Sequence, residues 1–239
     1  MTEDLRLGVW SLLGEPRGAA LLEGSGFDWV LLDQQHGHFD DRAVRETLVL
    51  RGERRVPLLV RPRTNDAGLI GRALDAGADG VIVPLVSSAA EAEAAVASAS
   101  YPPRGNRSWG PLPGLERTDG ADGRPPRPFV GVMIETAEGL ADVDAIAATP
   151  DLDLVFVGPF DLSQSLGTTV DDLLADDSTD GPLGRILAAA RAAGVLAGAF
   201  GATVERARAF ARHGFTFVVG ALDTDLVAGG AAITDRIRA

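Results

Sequence analysis

Four stretches of the sequence place chemically capable side chains directly after apolar runs. They are Asp33-Gln34-Gln35-His36-Gly37-His38, Arg61-Pro62-Arg63, Glu135-Thr136, and Gly158-Pro159-Phe160-Asp161-Leu162. Glu135 and Asp161 each end an otherwise apolar segment. Two unpaired carboxylates in such surroundings are costly, and a divalent cation removes the cost. A site of carboxylates without thiolates or clustered histidines favours a hard ion, Mg²⁺ or Mn²⁺, completed by water and substrate oxygens. The competing reading is that each acid pairs with a neighbouring Arg. An imidazole titrates near neutrality, which suits His36 to proton transfer, with Asp33 three residues earlier to orient it. Against this stands the ordinary case of a loop histidine with no special role, the reading given to His38 and His213. Arg61 could grip a carboxylate or a developing enolate oxygen, or form a salt bridge to a nearby acid. Asp75 falls in the last turn of a helical segment, where negative charge is disfavoured, so a specific partner is expected.

Composition narrows the chemistry further. The 239 residues include no Cys, which removes thiolate nucleophiles, disulfides and zinc–thiolate sites. They also include no Lys, since all 22 basic residues are Arg, so no lysine Schiff base can form. A carbanion generated beside a carbonyl must therefore use a metal or an oxyanion hole as its electron sink. The net charge of −12 argues against nucleic acid as a partner and is read as serving solubility. Met1–Leu7 is short and acidic, unlike a signal peptide, and no apolar run approaches the ~20 residues of a membrane span. A cytoplasmic protein is expected, with no membrane partner.

The elements that must position these residues alternate regularly. Strands are expected near Arg6–Trp10, Asp28–Leu32, Pro57–Arg61, Gly80–Pro84, Phe129–Ile134, Leu154–Val157, Leu196–Ala199 and Phe215–Val219. Helical patterns cover Asp41–Arg51, Asp66–Ala76, Ser88–Ser100, Gly139–Ala148, Pro182–Ala193, Thr203–His213 and Asp225–Arg238. Asp66 and Ser88 stand at N-cap positions, and Gly77 and Gly194 follow helix ends. Continuously apolar strands alternating with helices predict a parallel sheet covered on both faces. Eight such units predict a (β/α)8 TIM barrel spanning residues 1–239 as one domain, with an open doubly wound sheet as the alternative. In such a barrel, strand C-terminal ends carry the chemistry, and the four polar clusters share that end. Gly158–Gly167 reads as a tight loop entering a short helix, with free backbone N–H groups suited to an anion. Tyr101–Pro128 holds half of the 14 Pro and is read as a lid or binding loop, or as a surface excursion.

At these residues the chain resembles the HpcH/HpaI aldolase/citrate lyase family of metal-dependent, pyruvate-using class II aldolases. The likeness runs from Gly8-Val9-Trp10 to Asp223-Thr224. It is densest in Phe27-Asp28-Trp29 through Gly37, Val60-Arg61-Pro62, Leu74-Asp75-Ala76-Gly77-Ala78-Asp79-Gly80, Tyr101–Ser108, Met133-Ile134-Glu135-Thr136 and Phe156–Ser163. The resemblance implies that His36 moves protons beside Asp33, that Arg61 stabilises the enolate and that Asp75 raises the histidine's basicity. It implies Glu135 and Asp161 as metal ligands, and the Phe160 amide as a contact to the 2-oxo acid. Met133 occupies a position where many members have a substrate-touching Gln, and Gln34-Gln35 stands where many have Gly-Glu. Leu112–Pro128 lacks the Tyr and Ala-Asn pattern usual there, so a different site entrance is expected.

The resemblance thus implies reversible aldol cleavage and condensation of a pyruvate or hydroxypyruvate donor with an aldehyde, using Mg²⁺ or Mn²⁺, with Co²⁺ a further option. A base, His36 or a water that it orients, would take the donor's C3 proton while Arg61 and the metal share the enolate charge. Oxaloacetate decarboxylation, a citramalyl-type lyase reaction, a metal-free sugar-phosphate barrel and a non-catalytic acid-binding barrel are the competing readings. Family members form homo-oligomers, so a trimer or hexamer is expected, with the Ala/Gly-rich tail Val227–Ala239 compatible with packing on a neighbour.

Overall fold

Short runs of Val, Leu, Ile and Phe, each closed off by a polar or glycine-containing turn, form the strands. In the computed structural model, which describes residues 5–51, 56–110 and 126–238, they are β1 (Arg6–Ser11), β2 (Trp29–Asp33), β3 (Leu58–Arg61), β4 (Gly80–Val83), β5 (Phe129–Ile134), β6 (Leu154–Val157), β7 (Leu196–Phe200) and β8 (Phe217–Leu222). All pair in parallel, in chain order, and β8 pairs with β1 to close a barrel. The helices are α1 (Pro16–Leu22), α2 (Asp41–Leu50), α3 (Ala67–Asp75), α4 (Ala89–Ala99), α5 (Ala137–Ala141), α6 (Val143–Ala147), α7 (Pro159–Ser165), α8 (Val170–Ala175), α9 (Pro182–Ala193), α10 (Val204–His213) and α11 (Asp223–Arg238).

Local signals set the helix limits. Asp40, Asp66, Ser88, Thr136 and Thr203 each accept a backbone N–H of the first turn, which satisfies donors that the helix leaves free. Gly194 (φ 72°) and Gly214 (φ 113°) end α9 and α10 in the left-handed conformation. Three parts of the pattern differ from expectation. The segment Gly139–Ala148 is two short helices broken at Asp142, whose carboxylate turns aside to accept the Ala89 N–H at 2.7 Å. Helices α1 and α8 were not anticipated, being too short for a clear periodicity. The last strand begins later than Phe215, whose ring instead packs edge-on against Phe210 at 5.5 Å. Residues 111–125, the middle of the proline-rich loop read as a lid, lie outside the described residues.

Two apolar layers hold the barrel. Outward-facing Val30, Leu32, Val60, Val81, Val83, Val130 and Val132 pack against the helices, and α4 approaches closely because Ala92, Ala95 and Ala99 face the sheet. Inward-facing Trp10, Trp29, Leu31, Leu59, Ile82, Met133, Leu154, Phe156 and Phe217 fill the interior. Large rings fit there because glycines stand opposite them. A Cβ on Gly8 would lie 2.0 Å from the Trp29 ring, and one on Gly198 would lie 2.6 Å from Phe156. Trp29 in turn stacks on Phe217 at 4.1 Å. Among the described residues no helix is long and apolar enough to cross a membrane.

Gly8→Ala should therefore destabilise the protein by ~3 kcal/mol, since neither ring nor backbone can retreat. Gly71→Ala, on α3 with open space around it, should instead add ~0.5–1 kcal/mol. Urea unfolding of the two variants beside the parent checks both signs.

Candidate active site

The polar clusters that follow β2, β3, β5 and β6 converge at the C-terminal mouth of the barrel. They surround a cavity of about 340 Å³ lined by Trp10, Leu12, His36, Arg61, Met133, Glu135, Gly158, Pro159, Phe160, Asp161 and Phe200. The register places Asp33 directly beside Arg61 on adjacent strands. Arg61 Nε donates to Asp33 Oδ1 at 2.9 Å and Nη2 to Oδ2 at 2.5 Å, a bidentate pair in which the Asp33 side chain is fully buried. Burial alone would raise the Asp33 carboxyl, but the Arg61 hydrogen bonds and charge, with the Trp10 indole and Gln35 amide, hold it below the usual range. Trp10 Nε1 reaches Asp33 Oδ2 at 3.2 Å, and its ring lies 4.8 Å from the Arg61 guanidinium. With two of its nitrogens fixed on Asp33, Arg61 has Nη1 left over, 4.0 Å from Met133 Sδ and at the cavity wall. Arg61 is thus both ion-paired and presented to the site.

Glu135 is 2% exposed at the end of β5. Its Oε2 accepts the Leu85 N–H at 2.7 Å, and a Cβ on Gly158 would fall 2.4 Å from its Oε1. A glycine is therefore required beside this carboxylate. Leu85 is held at φ 54°, in the left-handed region that a leucine rarely adopts, and this conformation aims its amide at Glu135. Burial pushes the Glu135 carboxyl up to about 7. The Leu85 hydrogen bond and Arg61 oppose the shift, while Asp161 and Asp33 reinforce it. Asp161, exposed in the first turn of α7, lines the same cavity. Among the described residues neither acid has an Arg ion pair, and no third protein carboxylate, His or Cys joins them in a cluster. A buried carboxylate short of positive charge, a second acid across the cavity and a glycine cradle fit a hard divalent cation with water and substrate oxygens as its remaining ligands.

His36 lies exposed at the cavity mouth. Asp33 does not contact its imidazole. Asp33 Oδ1 accepts the backbone N–H of Gln35 at 2.9 Å and of His36 at 3.3 Å, so it shapes the loop that carries the ring. Helix α7 begins at Pro159, directly after β6 and without an intervening loop, so the Phe160 N–H falls in its first turn, without an intrahelical acceptor. The Phe160 ring meets Phe200 at 6.1 Å, and Phe200 meets Trp10 edge-on at 5.1 Å, which gives the cavity an aromatic wall.

Asp75 is not brought to His36. It ends α3, which runs from the C-terminal end of β3 back to the start of β4, whereas His36 follows the C-terminal end of β2. Its expected partner is Arg107, whose Nη2 lies 2.7 Å from Oδ1. Within one chain Asp75 therefore cannot act on the His36 imidazole. Trp10, Leu85 and Phe200 were not singled out as site residues in the sequence, and Gly158 was marked only as part of an anion-binding loop. Trp10 offered a signal, since a buried indole N–H demands an acceptor, and Asp33 is that acceptor.

Known proteins resemble this chain along nearly its whole length. The hydroxypyruvate/pyruvate aldolase of Paraburkholderia phytofirmans is 36% identical over 233 residues, which cover 92% of this chain and 88% of that one. The 4-hydroxy-2-oxovalerate aldolase of Rhodococcus jostii is 35% identical over 240 residues, covering 93% and 87%. The crystal structure of an HpcH/HpaI aldolase/citrate lyase family protein from Burkholderia cenocepacia superposes with a TM-score of 0.86 at 29% identity, over 99% of this chain and 96% of that one. Fold and relatives together define the class, a barrel enzyme that is a carbon–carbon lyase. More narrowly, the chain belongs to the HpcH/HpaI aldolase/citrate lyase family, whose model matches residues 6–229.

The Glu135 shift has a measurable consequence for the metal-free protein. An acid whose folded pKa lies above its unfolded value binds more protons folded than unfolded between the two, so stability falls as pH rises through that window. Between pH ~4.5 and ~7, Glu135 should cost the metal-free fold on the order of 3 kcal/mol. Glu135→Gln should remove this slope. Unfolding titrations at pH 5 and pH 7.5 should show the variant gaining on the parent only at the higher pH.

Proposed function

We propose that this lyase is a divalent-metal-dependent class II aldolase that reversibly joins pyruvate or hydroxypyruvate to an aldehyde. The observation that carries the proposal is Glu135, buried and short of positive charge, facing a cavity shared with Asp161 in a chain that has no lysine. The names of the relatives, hydroxypyruvate/pyruvate and 4-hydroxy-2-oxovalerate aldolases, support a 2-oxo-acid donor. A cation held by Glu135 and Asp161, with Mg²⁺ or Mn²⁺ the expected ions and Co²⁺ a substitute, would polarise the donor's 2-oxo carbonyl and acidify its C3 protons.

The chain's own residues supply the rest. Arg61, locked by Asp33, offers Nη1 to the donor and stabilises the negative charge that develops on its oxygen. The Phe160 N–H binds the donor carboxylate, and Met133 forms an apolar floor beside it. His36, at the mouth, moves the proton between donor carbon and solvent or onto the acceptor's carbonyl oxygen. Trp10, Leu12 and Phe200 exclude water from the bond-forming carbon. A homo-oligomer, trimer or hexamer, is the assembly we propose, and the exposed Val227 and Ile237 of α11 are compatible with packing on a neighbour.

Two measurements test the reading. Thorough chelation should abolish pyruvate-dependent condensation with small aldehydes, and added Mg²⁺ or Mn²⁺ should restore it. Equal rates before and after metal removal would sink the mechanism. Arg61→Lys cannot keep the bidentate grip on Asp33, and should lower kcat/KM by about 10²–10³-fold while Mn²⁺ affinity stays within a few-fold. In contrast, Glu135→Gln and Asp161→Asn should each weaken Mn²⁺ binding directly, read by calorimetry.

A further inference from the structure

Asp223 is the first residue of α11, immediately after β8, and it is 6% exposed. Its carboxylate collects three donors from the far end of the chain. Ser11 Oγ donates to Oδ2 at 2.7 Å, Leu12 N to Oδ1 at 2.9 Å and Leu13 N to Oδ2 at 3.0 Å. These three residues are the end of β1 and the start of the loop that leads to α1. The same loop touches the His36 segment at two points. Leu12 O accepts the His38 N–H at 2.8 Å, and Leu12 lines the cavity beside His36. Gly14, at φ 69°, lies so close to His38 that a Cβ there would stand 2.5 Å from its carbonyl oxygen, and a Cβ on Gly37 would stand 3.1 Å from Leu12 O.

We infer that Asp223 is a positioning residue for His36, acting through the backbone of Leu12. The segment that carries His36 is held on both sides. On one side Asp33 takes the Gln35 and His36 amides, and on the other the β1–α1 loop, fastened by Asp223, takes the His38 amide. Three bonds to a single buried carboxylate fix that loop with little freedom, because any shift of Leu12 strips charge-assisted hydrogen bonds from the Asp223 carboxylate. Asp223 itself does not line the cavity, and its carboxylate bonds to Ser11, Leu12 and Leu13 rather than to Glu135 or Asp161, so it sets the place of the imidazole and leaves the metal carboxylates alone. The inference rests on the reading of His36 as the residue that moves the proton.

Asp223→Asn puts an amide NH₂ where an oxygen now accepts, against at least one of the three donors. It should lower kcat by about 10²-fold, the scale expected for a small misplacement of a reacting group. KM for pyruvate and the affinity for Mn²⁺, measured by calorimetry, should stay within about threefold of the parent, a tolerance far below that loss. Ser11→Ala, which deletes one donor and keeps the other two, should show the same pattern at several-fold scale, and serves if Asp223→Asn does not fold. The chain has three histidines, so the ring resonances can be assigned. In Asp223→Asn the His36 ring signal should shift or broaden, while that of His213, held at the Leu174 carbonyl, should not. This readout needs neither metal nor turnover. Failure of the parent to show chelator-sensitive aldol activity would overturn the aldolase reading while the His36 signal still judges the clasp. An unchanged His36 signal with unchanged kcat, or a loss of Mn²⁺ affinity that accounts for the loss of kcat, would overturn the inference.

Discussion

Placing a carboxylate in the dry mouth of an apolar barrel is the constraint on which the site depends. Glu135 directly follows the core strand β5, and its neighbours supply one amide, one guanidinium and two further acids. Nothing within the described residues neutralises it by contact. The surrounding design follows from that imbalance. Leu85 accepts a strained backbone to provide the amide, Gly158 gives up its side chain to make room, and Arg61 is held at a fixed distance by Asp33 so that its charge reaches the cavity. A site of this kind is unfavourable to the folded chain by itself, and the cation proposed for it would relieve that cost.

The division of labour within the cluster is equally physical. Asp33 is satisfied by an Arg, an indole and two amides, and its carboxyl stays ionised below the usual range. Glu135 is starved of donors and rises to about 7. Two acids of similar chemistry in one pocket are driven apart by their partners, so one serves as a rigid anchor while the other remains open to a ligand. The aromatic wall of Trp10, Phe200 and Phe160 strengthens both roles by keeping the local dielectric low.

Much of this was legible in the sequence, for a specific reason. Asp33, Arg61 and Glu135 close buried apolar runs, where a polar residue has few explanations, whereas Asp161, read as ending an apolar run too, stands exposed in the first turn of α7. The alternation of strands and helices is equally visible, because parallel strands covered on both faces are apolar throughout. What the sequence concealed acts through the backbone or through closure of the fold. Leu85 contributes an amide and a positive φ, neither of which its side chain announces. Asp223 looks like the start of an ordinary helix until β8 is placed beside β1. Asp75 was correctly marked as needing a partner, yet the partner is Arg107, because α3 carries it to the opposite end of the barrel from His36. The break at Asp142 escaped notice because a side chain that caps a neighbouring helix leaves no mark on the local periodicity.

The seam between β1 and β8 pairs Arg6 with Phe217 and Gly8 with Val219. Until β8 has left the ribosome, the nascent sheet must exist with two raw edges, each a template for unwanted pairing. Contacts so remote in sequence also make ring closure slow relative to the docking of each helix on its own strand. Removal of β8 (Phe217–Leu222) would therefore leave an unclosed, adhesive ribbon in which the N-terminal strand has lost one of its two neighbours.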